Sequence, residues 1–107
     1  MMADNHAIDT VGAELHAFLI QLGKKPDCVS HKTAHYVEHI LHLLSADDEE
    51  TLLHFYGIFG HRQETLKSLA DERKISMEEL AAQIAKHLRQ LAITPEWQMV
   101  KNLIHPQ

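Results

Sequence analysis

The chain contains few of the residues that crosslink or interrupt a fold. It has a single cysteine, Cys28, with three prolines, four glycines and 6% aromatic residues in 107 positions. One cysteine excludes an intramolecular disulfide and a cysteine-rich metal site, and it favours a reducing, cytoplasmic setting. With 45% apolar and 23% charged residues, the composition is typical of one globular domain.

Long apolar runs and alternating patterns are also missing. No run approaches the roughly 20 apolar residues of a membrane span, so we expect no membrane partner. The first residues, MMADNHAID, lack the basic start of a secretory signal. No segment alternates apolar and polar residues with a period of two, so no sheet is expected. The predicted fold class is all-α, a compact bundle of about six helices.

Positive charge is scarce. The formal net charge is −5 and the pI is about 6.0. The segment 46–64 carries a charge of −4 and 65–92 a charge of +1. A protein that binds nucleic acid usually presents a basic face, because counterion release supplies most of its non-specific affinity. The acidity therefore lies just before the segment 65–92, which is itself nearly neutral.

Apolar residues at spacings of three and four predict a first helix over 10–22. Asp9 or Thr10 can cap its start, and Gly23 is expected to stop it. Gly, Pro and Asp in the segment 23–30 then predict a loop. The expected buried positions of the first helix are Val11, Leu15, Phe18, Leu19 and Leu22.

Two further helices are predicted before residue 60. Ser30 can cap a helix over 31–44, whose expected buried face is Tyr36, Val37, Ile40, Leu41, Leu43 and Leu44. Ser45 can cap a third helix, and four consecutive acids after it favour the positive end of the helix dipole. Gly57 and Gly60 are expected to close this helix. Its expected apolar contacts are Leu52, Leu53, Phe55 and Tyr56.

The stretch 55–91 has the layout of a helix-turn-helix. Thr65 can cap a short helix, and a tight turn is expected at 73–75. Ser76 can cap a longer helix, with Glu79 in position to complete a capping box. The fold class therefore includes a helix-turn-helix.

The predicted organisation is a single domain over 1–107. It comprises an N-terminal helical pair (9–44), the helix-turn-helix unit (46–92) and a C-terminal helix (94–105). Thr94 can cap the last helix, with a proline in its first turn. The residues expected on its buried face are Trp97, Val100 and Ile104.

Residues 55–76, FYGIFGHRQETLKSLADERKIS, resemble the C-terminal helix-turn-helix region of bacterial sigma factors without a gap. The matching positions are Tyr56-Gly57-Ile58, Thr65-Leu66, Leu69-Ala70 and Ile75-Ser76, followed by Leu88 and Leu91 at the last core leucines. Lys74 stands where the family has its turn glycine, so it is expected to adopt a left-handed conformation at a cost of about 1 kcal/mol.

The resemblance implies a transcription regulator that contacts duplex DNA, as a homodimer if one recognition helix binds too weakly. If the protein binds DNA, the residues expected to contact phosphates are Lys67, Arg73, Lys74, Gln83, Lys86 and Arg89. Met77, Glu78 and Ala82 are expected to approach the bases. However, the family's recognition helix opens with arginines, which pair bidentately with guanine and phosphate. The corresponding residues here are Met77, Glu78, Glu79, Ala81 and Ala82.

These departures support an alternative from another class. The helix-turn-helix would have lost DNA binding and would serve as an adaptor for RNA polymerase, a sigma factor or another regulatory protein. The acidic third helix and a histidine-rich face of the second helix would be its contact surfaces.

The histidine-rich face consists of four residues on one side of the second helix, His31, His35, His39 and His42. Histidines four apart on a helix can share a zinc or nickel ion, and imidazole titrates near physiological pH. A solvated polar face is the simpler interpretation. A metal would need further ligands that the sequence does not reveal, so no metal or other cofactor is predicted.

No motif in the chain indicates an enzyme. There is no phosphate-cradling glycine loop, nucleophile elbow or zincin motif in the sequence. Cys28 has no catalytic partner near it in the sequence. We therefore expect the protein not to be an enzyme.

Overall fold

The computed structural model describes residues 10–104. This part of the chain forms six α-helices and contains no strand, which confirms the all-α prediction. A short 3-10 helix, Pro26–Cys28, follows the first α-helix. The α-helices are α1 (Thr10–Lys24), α2 (His31–Leu41), α3 (Ala46–Tyr56), α4 (Leu66–Arg73), α5 (Met77–Ala92) and α6 (Pro95–Ile104). No helix among these residues is long and apolar enough to cross a membrane.

Serine or threonine side chains cap the helices α2 to α6 at the predicted positions. Each hydroxyl oxygen accepts the backbone N–H three residues further on, which satisfies a donor that the first turn leaves free. The hydroxyl oxygen of Ser76 accepts a hydrogen bond from the backbone N–H of Glu79. The other confirmed caps are Ser30, Ser45, Thr65 and Thr94.

The core is built from apolar residues of all six helices. The largest helix contacts join α1 to α5 and α2 to α6, and α4 packs on α5. The two helices of the predicted N-terminal pair therefore pack mainly on the C-terminal half of the chain. The predicted core positions that are buried include Leu15, Phe18, Leu19, Leu22, Val37, Ile40, Leu41, Leu52, Leu53, Tyr56, Trp97 and Val100.

Three predictions about the first two helices were wrong. Gly23 does not stop α1, which continues to Lys24. Helix α2 ends at Leu41 rather than at residue 44, and the chain forms a turn directly after it. Val11 and Leu43 were expected to be buried but are 44% and 54% exposed. The predicted cap Asp9 lies outside the described residues, whereas Thr10 is the first residue of the helix.

Lys74 adopts the left-handed conformation that its position in the turn predicts. It caps the end of α4 with φ 62° and ψ 41°. Gly57 ends α3 in the same conformation, with φ 64°, and its N–H donates to the carbonyl of Leu53. Glycine occupies this region without the Cβ clash that every other residue incurs.

We therefore expect Lys74→Gly to raise the free energy of unfolding by about 0.5–1 kcal/mol, because glycine removes the steric cost of the left-handed backbone. Urea denaturation measures this change. Lys86→Gly is the matched control, since it makes the same replacement on the exposed side of α5 and should destabilise by about 1 kcal/mol. Destabilisation by both variants would contradict a strained Lys74.

Candidate functional site

Helices α4 and α5 are joined by only three residues, 74–76, and form the segment predicted to reach DNA. α5 buries Leu80, Ile84, Leu88 and Leu91 against the core. Its opposite side is exposed, and its residues include Glu78, Glu79, Ala82, Lys86 and Arg89. Two carboxylates therefore stand at the start of this exposed side, where the sigma family has cations.

The predicted DNA-binding residues do not share one environment. Met77, Glu78, Lys74, Ala82, Lys86 and Arg89 are exposed. Lys67 is also exposed, but its Nζ lies 2.9 Å from the Asp71 carboxylate in an ion pair. The remaining two, Arg73 and Gln83, line a groove between α3, α4 and α5.

Arg73 ties the end of α4 to the start of α3. Its guanidinium donates to the backbone carbonyl of Asp47 and lies 3.8 Å from the carboxylate of Asp48. The same carboxylate lies 3.3 Å from Nε2 of His87 on α5. Asp48 thus joins three helices, so part of the acidic run serves packing and Arg73 is occupied within the fold.

The groove, which we call the acidic groove, has a volume of about 480 Å³. Four carboxylates line it against one guanidinium, that of Arg73. Its polar and charged lining is Asp47, Glu50, Thr51, His54, Glu64, Glu72, Arg73 and Gln83, and its apolar lining is Leu69 and Ile75. Glu50 and Glu72 make no ion pair within residues 10–104. A phosphate group would be repelled there, whereas a cation would be attracted.

The loop from Gly57 to Glu64 folds back onto the end of α3. The N–H of Glu64 donates to the carbonyl of His54 at 2.8 Å, and the amide of Gln63 donates to the carbonyl of Phe55 at 3.2 Å. Phe59 holds a positive φ of 53°, which is rare for a large side chain. Strained backbone of this kind persists where surrounding contacts fix it, and it often marks a functional region.

His54 and His61, which look unrelated in the sequence, are brought together by this loop. Their rings lie edge to face with centroids 5.2 Å apart. The Nδ1 of His54 lies 2.9 Å from the carbonyl oxygen of Arg62. The Nδ1 of His61 lies 3.1 Å from the carbonyl oxygen of Phe59 and 3.2 Å from the carbonyl oxygen of Ile58. The sequence does not predict this contact, because only His54 is in a helix and the contact depends on the path of the loop that carries His61.

The four histidines predicted to form one face are exposed, with three of them on α2 and His42 directly after its end. His42 lies 2.6 Å from the Glu49 carboxylate, and the centroids of His39 and His42 are 6.3 Å apart. Within residues 10–104, no three or more His, Cys, Asp or Glu side chains are grouped to hold a metal ion.

A second histidine contact lies between α1 and α3. Nδ1 of His16 and the hydroxyl of Tyr56 are 2.7 Å apart. Burial lowers the pKa of His16 and raises the pKa of Tyr56 well above its ordinary value. Both changes favour the neutral forms, so this pair serves to join the two helices.

No protein-family model matches the sequence, and neither a curated protein nor a solved structure shows significant similarity to it.

Proposed function

We propose that this protein is a transcription-associated adaptor whose acidic groove binds a basic segment of a partner protein. The partner class suggested by the sigma-like residues is RNA polymerase or another regulatory protein. The observation that carries the proposal is the excess of carboxylates in a concave surface, next to a helix whose exposed start lacks arginine.

The lining of the groove suits arginine or lysine side chains in two ways. The carboxylates of Glu50 and Glu72 supply opposite charge, which steers association and favours basic partners. The apolar side chains of Leu69 and Ile75 offer contacts for the methylene stems of long cationic residues.

A second candidate function is direct binding of duplex DNA. The left-handed turn at Lys74 favours it, because the resemblance to sigma factors predicts this turn. Lys74, Lys86 and Arg89 would then contact phosphates, with Lys67 joining if its pairing with Asp71 is exchanged. Met77, Glu78 and Ala82 would approach the bases. Two chains in a homodimer would double the number of these contacts.

Charge-neutralising variants test the groove. We expect Glu50→Gln/Glu72→Gln to weaken binding of a labelled oligo-arginine peptide by about 1 kcal/mol, roughly fivefold in Kd, because each exposed pair contributes up to about 1 kcal/mol. Glu78→Gln/Glu96→Gln is the matched control, since it removes the same charge outside the groove. Fluorescence anisotropy at low salt measures both.

Equal effects of the two double variants would mean that net charge alone attracts the peptide, and the groove proposal would fail. The same titration with a labelled DNA duplex at about 50 mM salt distinguishes DNA binding from the adaptor function. Duplex binding that Lys86→Ala/Arg89→Ala removes, with no peptide binding, would favour DNA recognition over the adaptor.

A further inference from the structure

We propose that His54 and His61 form a binding site for a late first-row divalent metal ion such as Zn²⁺, held by the Nε2 atoms of the two imidazoles. The inference goes beyond the adaptor function, because its two ligands are identified by the ring contacts of the 57–64 loop. His54 also lines the acidic groove, whose carboxylates add to the attraction of a cation.

The hydrogen bonds of the two rings determine which nitrogen is available. A backbone carbonyl only accepts, so the Nδ1 of each ring must carry the proton that is shared with it: His54 with Arg62, and His61 with Phe59 or Ile58. A neutral imidazole has one N–H, which leaves Nε2 as an unprotonated acceptor. Histidines that bind metals typically donate their other ring N–H to a carbonyl or carboxylate in this way.

The separation of the rings also fits a shared ion. With Zn–N bonds of about 2.0–2.1 Å and tetrahedral geometry, two imidazoles bound through Nε2 have centroids about 5 Å apart. The centroids of His54 and His61 are 5.2 Å apart. The ring centroids of His39 on α2 and of His42 directly after it are further apart, at 6.3 Å.

The protein fixes the two rings before any ion arrives. The bonds from Glu64 and Gln63 to backbone carbonyls of α3 hold the loop against that helix. The left-handed backbone of Phe59 and Gly60 turns the chain so that His61 returns to His54. Ligands held in position by such contacts lose less freedom on binding.

Nearby carboxylates add a favourable charge. Oε2 of Glu64 lies 3.4 Å from Nδ1 of His54, and Glu50 lines the acidic groove one helical turn before His54. A negative environment attracts a divalent cation and stabilises it once bound. Only two imidazoles take part, so water would complete the coordination.

Isothermal titration of the full-length chain, without a histidine tag, with Zn²⁺ tests the site. We expect one ion per chain, and we expect His54→Gln/His61→Gln to weaken binding by at least the roughly 10–100-fold that loss of an outer-shell partner costs. His35→Gln/His39→Gln on α2 is the matched control and should bind as the unmodified chain does. Loss of binding in the α2 variant alone, or no binding by the unmodified chain, would overturn the proposal.

Long-range ¹H–¹⁵N spectra of the unmodified chain provide a measurement that does not depend on how the variants fold. At a pH where the rings are neutral, His54 and His61 should show the Nδ1–H tautomer, and Zn²⁺ should shift their Nε2 signals first. The opposite tautomer, or first shifts at His31, His35, His39 or His42, would contradict the site.

Discussion

Gly23→Ala is expected to destabilise the protein by about 3 kcal/mol, although alanine ordinarily strengthens a helix. Gly23 lies inside α1, where its backbone passes directly against the carbonyl of Tyr56 at the end of α3. A Cβ at this position would overlap that carbonyl oxygen. Because the overlapping atom belongs to the backbone, the overlap can be removed only if the two helices move apart. The expected loss of stability therefore lies at the upper end of the about 1–3 kcal/mol that overpacking a core usually costs.

Urea denaturation followed by circular dichroism measures the effect. Ala17→Gly on the exposed side of α1 is the control, since it reports the ordinary difference between glycine and alanine in this helix, about 1 kcal/mol in favour of alanine. If Gly23→Ala raised stability by a similar amount, the close approach of α1 and α3 would be refuted.

Trp97→Ala is expected to cost about 3–5 kcal/mol, which is a large part of the 5–15 kcal/mol that stabilises a typical domain. Trp97 is 2% exposed, and its ring centroid lies 5.8 Å from that of Phe18 on α1. Its removal would leave a cavity where α6 meets α1. The thermal midpoint should fall by roughly 15 °C or more.

Met99→Ala serves as the comparison, because Met99 is on the same helix but is 53% exposed. We expect this change to remain within about 0.5 kcal/mol of the unmodified chain. If the two variants lowered the free energy of unfolding by similar amounts, the packing of the Trp97 side chain would not be what holds α6 against the core.

The candidate site was predictable only in part. The sequence identified the turn at Lys74 and the capping residues Ser76 and Thr65, since these depend on local backbone chemistry. It did not indicate that Arg73 binds the start of α3. Nor did it indicate that His54 and His61 are in contact. The first contact depends on how α4 packs against α3, and the second depends on how the 57–64 loop folds back onto α3.

The number and class of the helices followed from the sequence alone, because capping hydroxyls and apolar spacings act within one or two turns. The same local rules failed at Gly23 and Leu43. Glycine often follows the end of a helix, but Gly23 lies inside α1, where a side chain would meet the carbonyl of Tyr56. Leu43 matched the apolar stripe, but α2 ended before it and left it exposed. The tertiary structure decided these positions, together with the assembly of the acidic groove, because each depends on residues that are distant in the chain.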